Sequence, residues 1–295
     1  MNRQDAIIGQ GAIIGRWAAM ASVGLRLARP RVSLMVAGAT LFGALLHGGG
    51  EPWSVACAVA GALCLCAGCS ALNQVQERGR DALMARTRDR PLPMGRIGAG
   101  HAVQLAAVLL SVGLVLFLLA GGWLLGAVGV AVPLVYNGAY TPLKPRTSLA
   151  LLVGGTVGAF PPLAGWLAAG GVPHDPRILA VMGLFYLWQT PHFWLLAAIH
   201  RHDYARAGFP LVAASLPPWA CNPLMLLWIM AFFLASGALL GSMGQGMASP
   251  ALLCGTLLAG AATTAFAVRG YGRVALAVVN ASLVLSMAAI LGLAH

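Results

Sequence analysis

Long apolar stretches interrupted only by short basic loops dictate where this chain can fold. Nine such runs, of roughly membrane length, lie at 32–48, 53–72, 101–120, 122–138, 149–169, 178–199, 218–241, 250–268 and 273–293. A helix needs about 20 apolar residues to cross a hydrocarbon core. Charged residues make up only 8% of the 295, against about 25% in soluble domains. There is no polar shell with which to clothe a water-soluble core. The sequence predicts an all-α polytopic membrane protein of about nine transmembrane helices, arranged around a central cavity open to the cytoplasmic side.

The basic residues then orient the spans. With the N-terminus inside, Arg3, Arg16, Arg26, Arg29 and Arg31, the group from Arg78 to Arg96, Lys144, Arg146, Arg201, Arg206, Arg269 and Arg273 all fall inside, and only Arg177 falls outside. This is the positive-inside pattern. It places the polar motif loops and the N-terminus in the cytoplasm and the C-terminus outside, as expected in a bacterial plasma (inner) membrane. The formal charge of +11 suits anionic lipid headgroups and an anionic diphosphate. The arginines sit in loops between apolar spans, not on a basic face interleaved with aromatics, so nucleic acid is not an expected partner. Residues 1–31 read as a cytoplasmic interfacial segment without a cleavable signal, since Gly and Arg break its apolar runs. Residues 32–293 read as a single transmembrane domain.

The longest strongly polar run is Asn73–Ile97, NQVQERGRDALMARTRDRPLPMGRI. Asn73, Glu77 and Asp81 recur every four residues, a step that turns a helix only about 40° past a full circle. Their oxygens therefore share one face and suit a hard cation such as Mg²⁺. Arg86, Arg88 and Arg90 follow closely and are placed to hold phosphate oxygens. The competing reading is a charged cytoplasmic loop that only sets topology.

Four further stretches stand out. YTPLKPRT at 140–147 holds Lys144, the sole lysine, and Arg146. GAFPPLAGW at 158–166 puts two prolines inside a span, freeing backbone carbonyls that must find other partners. YLWQTPHFW at 186–194 brings Trp188, Gln189, His192, Phe193 and Trp194 to membrane depth, where an ionisable group is a functional candidate. Asp203 and Tyr204 lie just past that span, and Asp203 is expected to face the Asn73 helix across a pocket. Cys64, Cys66 and Cys69 form a CxCxxC run that reads as helix packing. A metal reading stays open for it, because Cys66 and Cys69 share the Asn73 face. The last three spans read as packing alone.

Taken together these pieces resemble the UbiA-type intramembrane prenyltransferases, and within them the protoheme farnesyltransferases (heme O synthases). LARPR at 27–31 resembles the entry to the family's first span, and Asn73, Glu77 and Asp81 fall on its first acidic motif. RTRDRPLPMGRI at 86–97 follows as it does in the family, and DYARAGFP at 203–210 falls on the second acidic motif. YTPLKPRT, GAFPPLAGW and WQTPHFW resemble the heme subgroup in particular. The likeness runs from residue 27 to about 210. The chain departs from the pattern at Glu77, where the family usually has Asp, at Gly79, where it usually has a further acid, at His202, where the heme subgroup usually has a second Asp, and at Pro210–Ala213, where the family has Pro-Met-Leu-Pro.

The resemblance implies Mg²⁺-dependent transfer of a farnesyl group from farnesyl diphosphate to a vinyl group of heme B. In that reading Asn73, Glu77, Asp81 and Asp203 hold the metal and Arg86, Arg90, Lys144 and Arg146 take the diphosphate. Trp188, Gln189, His192, Trp194 and Tyr204 form the acceptor side. Proteins of terminal-oxidase assembly or heme A synthesis are the implied partners, alongside membrane lipids. Three alternatives remain at this point: a quinone-type aromatic acceptor, a non-catalytic heme carrier, and a secondary transporter.

Overall fold

The computed structural model describes residues 20–210, 223–243 and 248–294. Every regular element among them is helical. Residues 20–28 form α1, followed by α2 (Pro30–His47), α3 (Pro52–Asp81) and α4 (Ala99–Pro133). A π-helical segment (Leu134–Tyr140) leads into the single turn α5 (Thr141–Leu143). Then come α6 (Ala150–Ala168), α7 (Pro176–Ile199), the short α8 (Arg201–Arg206), α9 (Pro223–Met243), α10 (Ala248–Val268) and α11 (Gly272–Ala294). Of the expected interfacial segment at 1–31, residues 1–19 lie outside the described residues, as do Leu211–Ala213 and Cys221.

Seven helices among the described residues are long and apolar enough to cross a membrane. The expected nine divides α4 in two and adds α7. The division has a physical basis: Gly121 (φ −153°, ψ 27°) and Gly122 (φ 61°, ψ −152°) leave the helical region inside α4. Gly122 occupies a conformation that a side chain would strain. α7 is long enough, but Arg177, Gln189 and His192 make it less apolar than its neighbours.

α3 sets the site. The Glu51 carboxylate caps its start by accepting from the Ser54 amide at 2.6 Å, and Pro52 suits the first turn. Thirty residues then follow without a break, a rod of about 45 Å against a hydrocarbon thickness of about 30 Å. The surplus explains why the apolar run ends at residue 72 while the helix continues to Asp81. The last turns lift Asn73, Glu77 and Asp81 to the edge of the apolar layer on one continuous face, as their spacing predicts.

The two prolines of α6 do not break it; the helix runs through Pro161 and Pro162. What they accompany is a close crossing with α2. A Cβ at Gly43 would run into the Pro162 carbonyl, and one at Gly165 into the Thr40 carbonyl. Small residues allow such backbone approach, on which association in lipid depends. Gly165→Ala should destabilise the protein by about 1–3 kcal/mol through overpacking. Thermal unfolding in detergent reads the loss, with Gly183→Ala as the control, since a Cβ there meets nothing within 4 Å.

The large core joins α2, α3, α4, α6, α7, α9 and α11 around Phe42, Trp166, Phe185, Ile229 and Phe232. A second, smaller cluster ties Leu27 of α1 to Ala71 and Val75 of α3. There the Gln74 carboxamide donates to the Leu27 carbonyl at 2.8 Å, so α1 packs beside the polar end of α3.

Candidate active site

The polar face of α3 is sealed from solvent: Asn73 is 3%, Glu77 6% and Asp81 0% exposed. Each of the three meets a different later segment. Asn73 Nδ2 donates to Thr141 Oγ1 at 3.1 Å. Lys144 Nζ donates to Glu77 Oε1 at 2.7 Å, and Arg90 Nη1 to Asp81 Oδ2 at 2.7 Å. Burying a carboxylate is costly unless it is paired and hydrogen-bonded, and these two charge-assisted bonds supply the pairing. The other Asp81 oxygen, Oδ1, is buried and has no hydrogen-bond partner among the described residues. Thr87 donates to the Asp81 carbonyl at 2.8 Å and so folds the arginine loop back over the end of α3.

The π-helical segment brings up Thr141 and Lys144. Gln76 Nε2 donates to the Asn137 carbonyl at 2.9 Å, while Asn137 Nδ2 donates to Gln76 Oε1 and to the Cys69 carbonyl, both at 3.1 Å. Thr141 Oγ1 closes the segment by donating to the Tyr136 carbonyl at 2.9 Å. A π turn is rare and recurs at functional sites; here it delivers the next turn to the α3 acids. Sequence reasoning missed Gln76, Asn137 and Thr141. The available signal was a carboxamide, Asn137, inside an apolar span.

Asp203 sits elsewhere than expected. Its carboxylate turns to the backbone of the arginine loop, accepting from the amides of Ala85 at 3.1 Å and Arg86 at 3.3 Å, and does not join the α3 acids. Tyr204 packs with Met84, Ala207 and Phe209, and the Arg86 guanidinium lies 6.0 Å above its ring. Of the four expected diphosphate cations, Arg90 and Lys144 reach the acids. Arg86 lies beside Tyr204, and the exposed Arg146 donates back to the Pro142 carbonyl at 3.3 Å.

The Ala85 amide, then that of Arg86, holds the Asp203 carboxyl below its ordinary value of 3.8. A depressed carboxylate contributes above its ordinary value and is lost as pH falls through the lower, folded one. The protection of the Ala85 and Arg86 amides against exchange, taken relative to the unfolded-chain rate at each pH, should therefore persist down to about pH 4. It should be lost below that, and in Asp203→Ala it should be low throughout.

On α7, His192 Nδ1 faces Asn280 Oδ1 of α11 at 2.8 Å. Its ring lies 4.9 Å from that of Trp188 and 5.6 Å from that of Phe193. Phe193 stacks at 6.3 Å on Tyr140, whose ring carries Lys144 Nζ at 5.4 Å. An aromatic path thus joins the His192 region to the Glu77–Lys144 pair. Trp194 is buried, and Gln189 lies against the backbone of Gly158, where a Cβ would meet its carboxamide. The last three spans do more than pack: besides Asn280, Ser286 bonds Ser236 at 2.7 Å.

Among the described residues no three His, Cys, Asp or Glu side chains gather as a metal group. The described cysteines, Cys57, Cys64, Cys66 and Cys69 of α3 and Cys254 of α10, are free thiols. The donors on the α3 face do fit a hard cation in kind: an amide oxygen and two carboxylates, one of them with an unpartnered buried oxygen.

A sealed row of acids is thus met by cations from neighbouring loops at one end of a helical membrane bundle. Residues 36–292 match the UbiA prenyltransferase family, and the chain belongs to it. It is a prenyltransferase and an integral membrane protein. A protoheme IX farnesyltransferase of Nitratidesulfovibrio vulgaris (strain DP4) is 45% identical over 270 residues, covering 90% of this chain and 92% of that protein. The solved structure of a UbiA homolog from Aeropyrum pernix K1 has the same fold, with a TM-score of 0.69 at 20% identity over 88% of this chain and 97% of that one. A UbiA homolog from Archaeoglobus fulgidus bound to GPP and Mg²⁺ gives 0.64 at 13% identity over 92% and 99%.

Proposed function

We propose that this enzyme transfers a farnesyl group from farnesyl diphosphate to a vinyl group of heme B, giving heme O. The observation that carries the reading is the buried Asn73–Glu77–Asp81 face with its orphaned Asp81 oxygen. The 45% identical relative, named for this reaction, supports the choice of substrates.

The allylic C–O bond breaks with its electron pair leaving on the diphosphate. The vinyl π electrons then bond to the farnesyl C1, and water adds to the resulting cation as hydroxide, releasing a proton. Bound Mg²⁺ would supply positive charge to the leaving diphosphate, held by Asn73, Glu77 and Asp81, while Asp203 holds the arginine loop. Lys144 and Arg90, already at the acids, turn their remaining N–H groups to the diphosphate oxygens, and Arg86 and Arg146 rim the entrance. Trp188, Gln189, His192, Trp194 and Tyr204 make the acceptor side. Tyr140 and Phe193, between the two halves, keep water away from the allylic cation.

The departure at Gly79 lies on an exposed surface with open space around it, away from the sealed face. That placement favours a working enzyme over a carrier that has lost its chemistry. The acidic motifs and Lys144 face the cytoplasm of a bacterial plasma membrane, with the C-terminus outside. The product would pass to heme A synthesis or terminal-oxidase assembly. The test is to give protein purified in detergent heme B, farnesyl diphosphate and Mg²⁺, with 4-hydroxybenzoate in parallel. Mass spectrometry should find hydroxyethylfarnesyl heme, and a chelator should abolish it. Product on 4-hydroxybenzoate alone would move the acceptor to the quinone class.

A further inference from the structure

α7 carries four polar side-chain atoms into the interior without a hydrogen-bond partner among the described residues: Trp188 Nε1, Gln189 Oε1, Thr190 Oγ1 and Trp194 Nε1. Leaving such groups unpaired is costly, so this concentration along a single helix points to a polar ligand. In their midst His192 is anchored. A carboxamide oxygen, Asn280 Oδ1, faces its Nδ1 at 2.8 Å. An oxygen can only accept, so the proton resides on Nδ1 and Nε2 is left with its lone pair. That is the arrangement by which proteins prepare a histidine for a metal: the far N–H is tied to a carbonyl, which fixes tautomer and ring plane and raises basicity. The flanking rings of Trp188, tilted 36° to the imidazole, and Phe193, at 66°, offer faces to a flat aromatic guest. The two indole N–H groups suit the carboxylates that such a guest carries at its edge.

We propose that His192 Nε2 is an axial ligand to the iron of the porphyrin acceptor, and that Asn280 is the positioning residue that sets its tautomer. The inference rests on the heme reading above. The neutral imidazole donates its lone pair to the iron and no bond is broken. Ligation on one face fixes the ring's tilt and rotation, which decides which vinyl group points along Phe193 and Tyr140 toward Lys144. A histidine that merely packs would not distinguish iron from its absence.

The experiment titrates the full-length protein in detergent with ferric heme B and, separately, with iron-free protoporphyrin IX. Wild type should give the absorption and electron paramagnetic resonance signature of histidine-ligated heme. His192→Gly should lose that signature and regain it on adding imidazole, which also shows that the variant is folded. Asn280→Leu should weaken heme binding about 10–100-fold, and Asn280→Asp, which still accepts, should keep most of it. Iron-free protoporphyrin should bind all four proteins alike. An unchanged heme spectrum in His192→Gly would overturn the ligation while leaving the acceptor reading intact. Equal weakening of heme and iron-free protoporphyrin would overturn it too, assigning His192 to packing. Wild type that neither binds nor farnesylates heme B would instead remove the acceptor reading, and the ligation with it.

Discussion

Asp81→Asn should abolish prenyl transfer while leaving a folded protein. The substitution keeps the volume of the side chain and an oxygen to accept from Arg90, which now bonds Asp81 Oδ2 at 2.7 Å. It removes the charge, and with it the capacity of this fully buried group to draw a cation into the end of α3. Losing one element of charge stabilisation at a preorganised site lowers kcat by about 10²–10³-fold, and more if the metal no longer binds. Asp81→Ala should be as inactive but less stable, because it also strands the Arg90 guanidinium, which is 21% exposed. Turnover of farnesyl diphosphate, measured beside thermal unfolding, separates the two effects. Wild-type turnover in Asp81→Asn would sink the central assignment.

The parts of this site that the sequence makes legible are those set by local periodicity. Asn73, Glu77 and Asp81 share a face because four residues make about one turn, and nothing distant has to be known. The same holds for the break in α4 at Gly121–Gly122, which falls between two apolar runs. Partner identity does not follow from such rules. Glu77 pairs with Lys144, 67 residues on, and Asn137 with Gln76, 61 residues away, through a π segment that no spacing announces. Asn280 meets His192 across 88 residues, from a helix whose apolar sequence reads as filler.

Asp203 shows a different limit. It falls on the expected acid motif, yet its side chain accepts from two amides of the loop that follows α3. Backbone donors there compete for a carboxylate as well as a metal does. The spread of Arg86 and Arg146 has a related cause. Loop arginines gain little from any one geometry in water, so charge alone does not say where each guanidinium comes to rest. Lys144 and Arg90 are placed firmly because their partners are buried.

That difference makes Lys144 the sharpest probe of the second half of the site. Its ammonium pairs with Glu77 at 2.7 Å, the two side chains being 19% and 7% exposed, and lies 5.3 Å from the ring of Phe209. Lys144→Met should therefore cost both activity and stability. Stranding a buried carboxylate costs about 3–5 kcal/mol when its partner is deleted, whereas removing both charges is close to neutral. Adding Glu77→Gln to Lys144→Met should accordingly restore most of the thermal stability. It should restore none of the turnover, since a neutral pair draws neither a metal nor a diphosphate and kcat stays down by about 10²-fold or more. A pair kept only for folding predicts the reverse: a stable double variant with wild-type turnover. Because Lys144 is the only lysine, amine-directed acylation of wild type at a side chain occurs there alone. Farnesyl diphosphate with Mg²⁺ should slow that acylation, and if bound substrate left the rate unchanged, Lys144 would not be at the diphosphate.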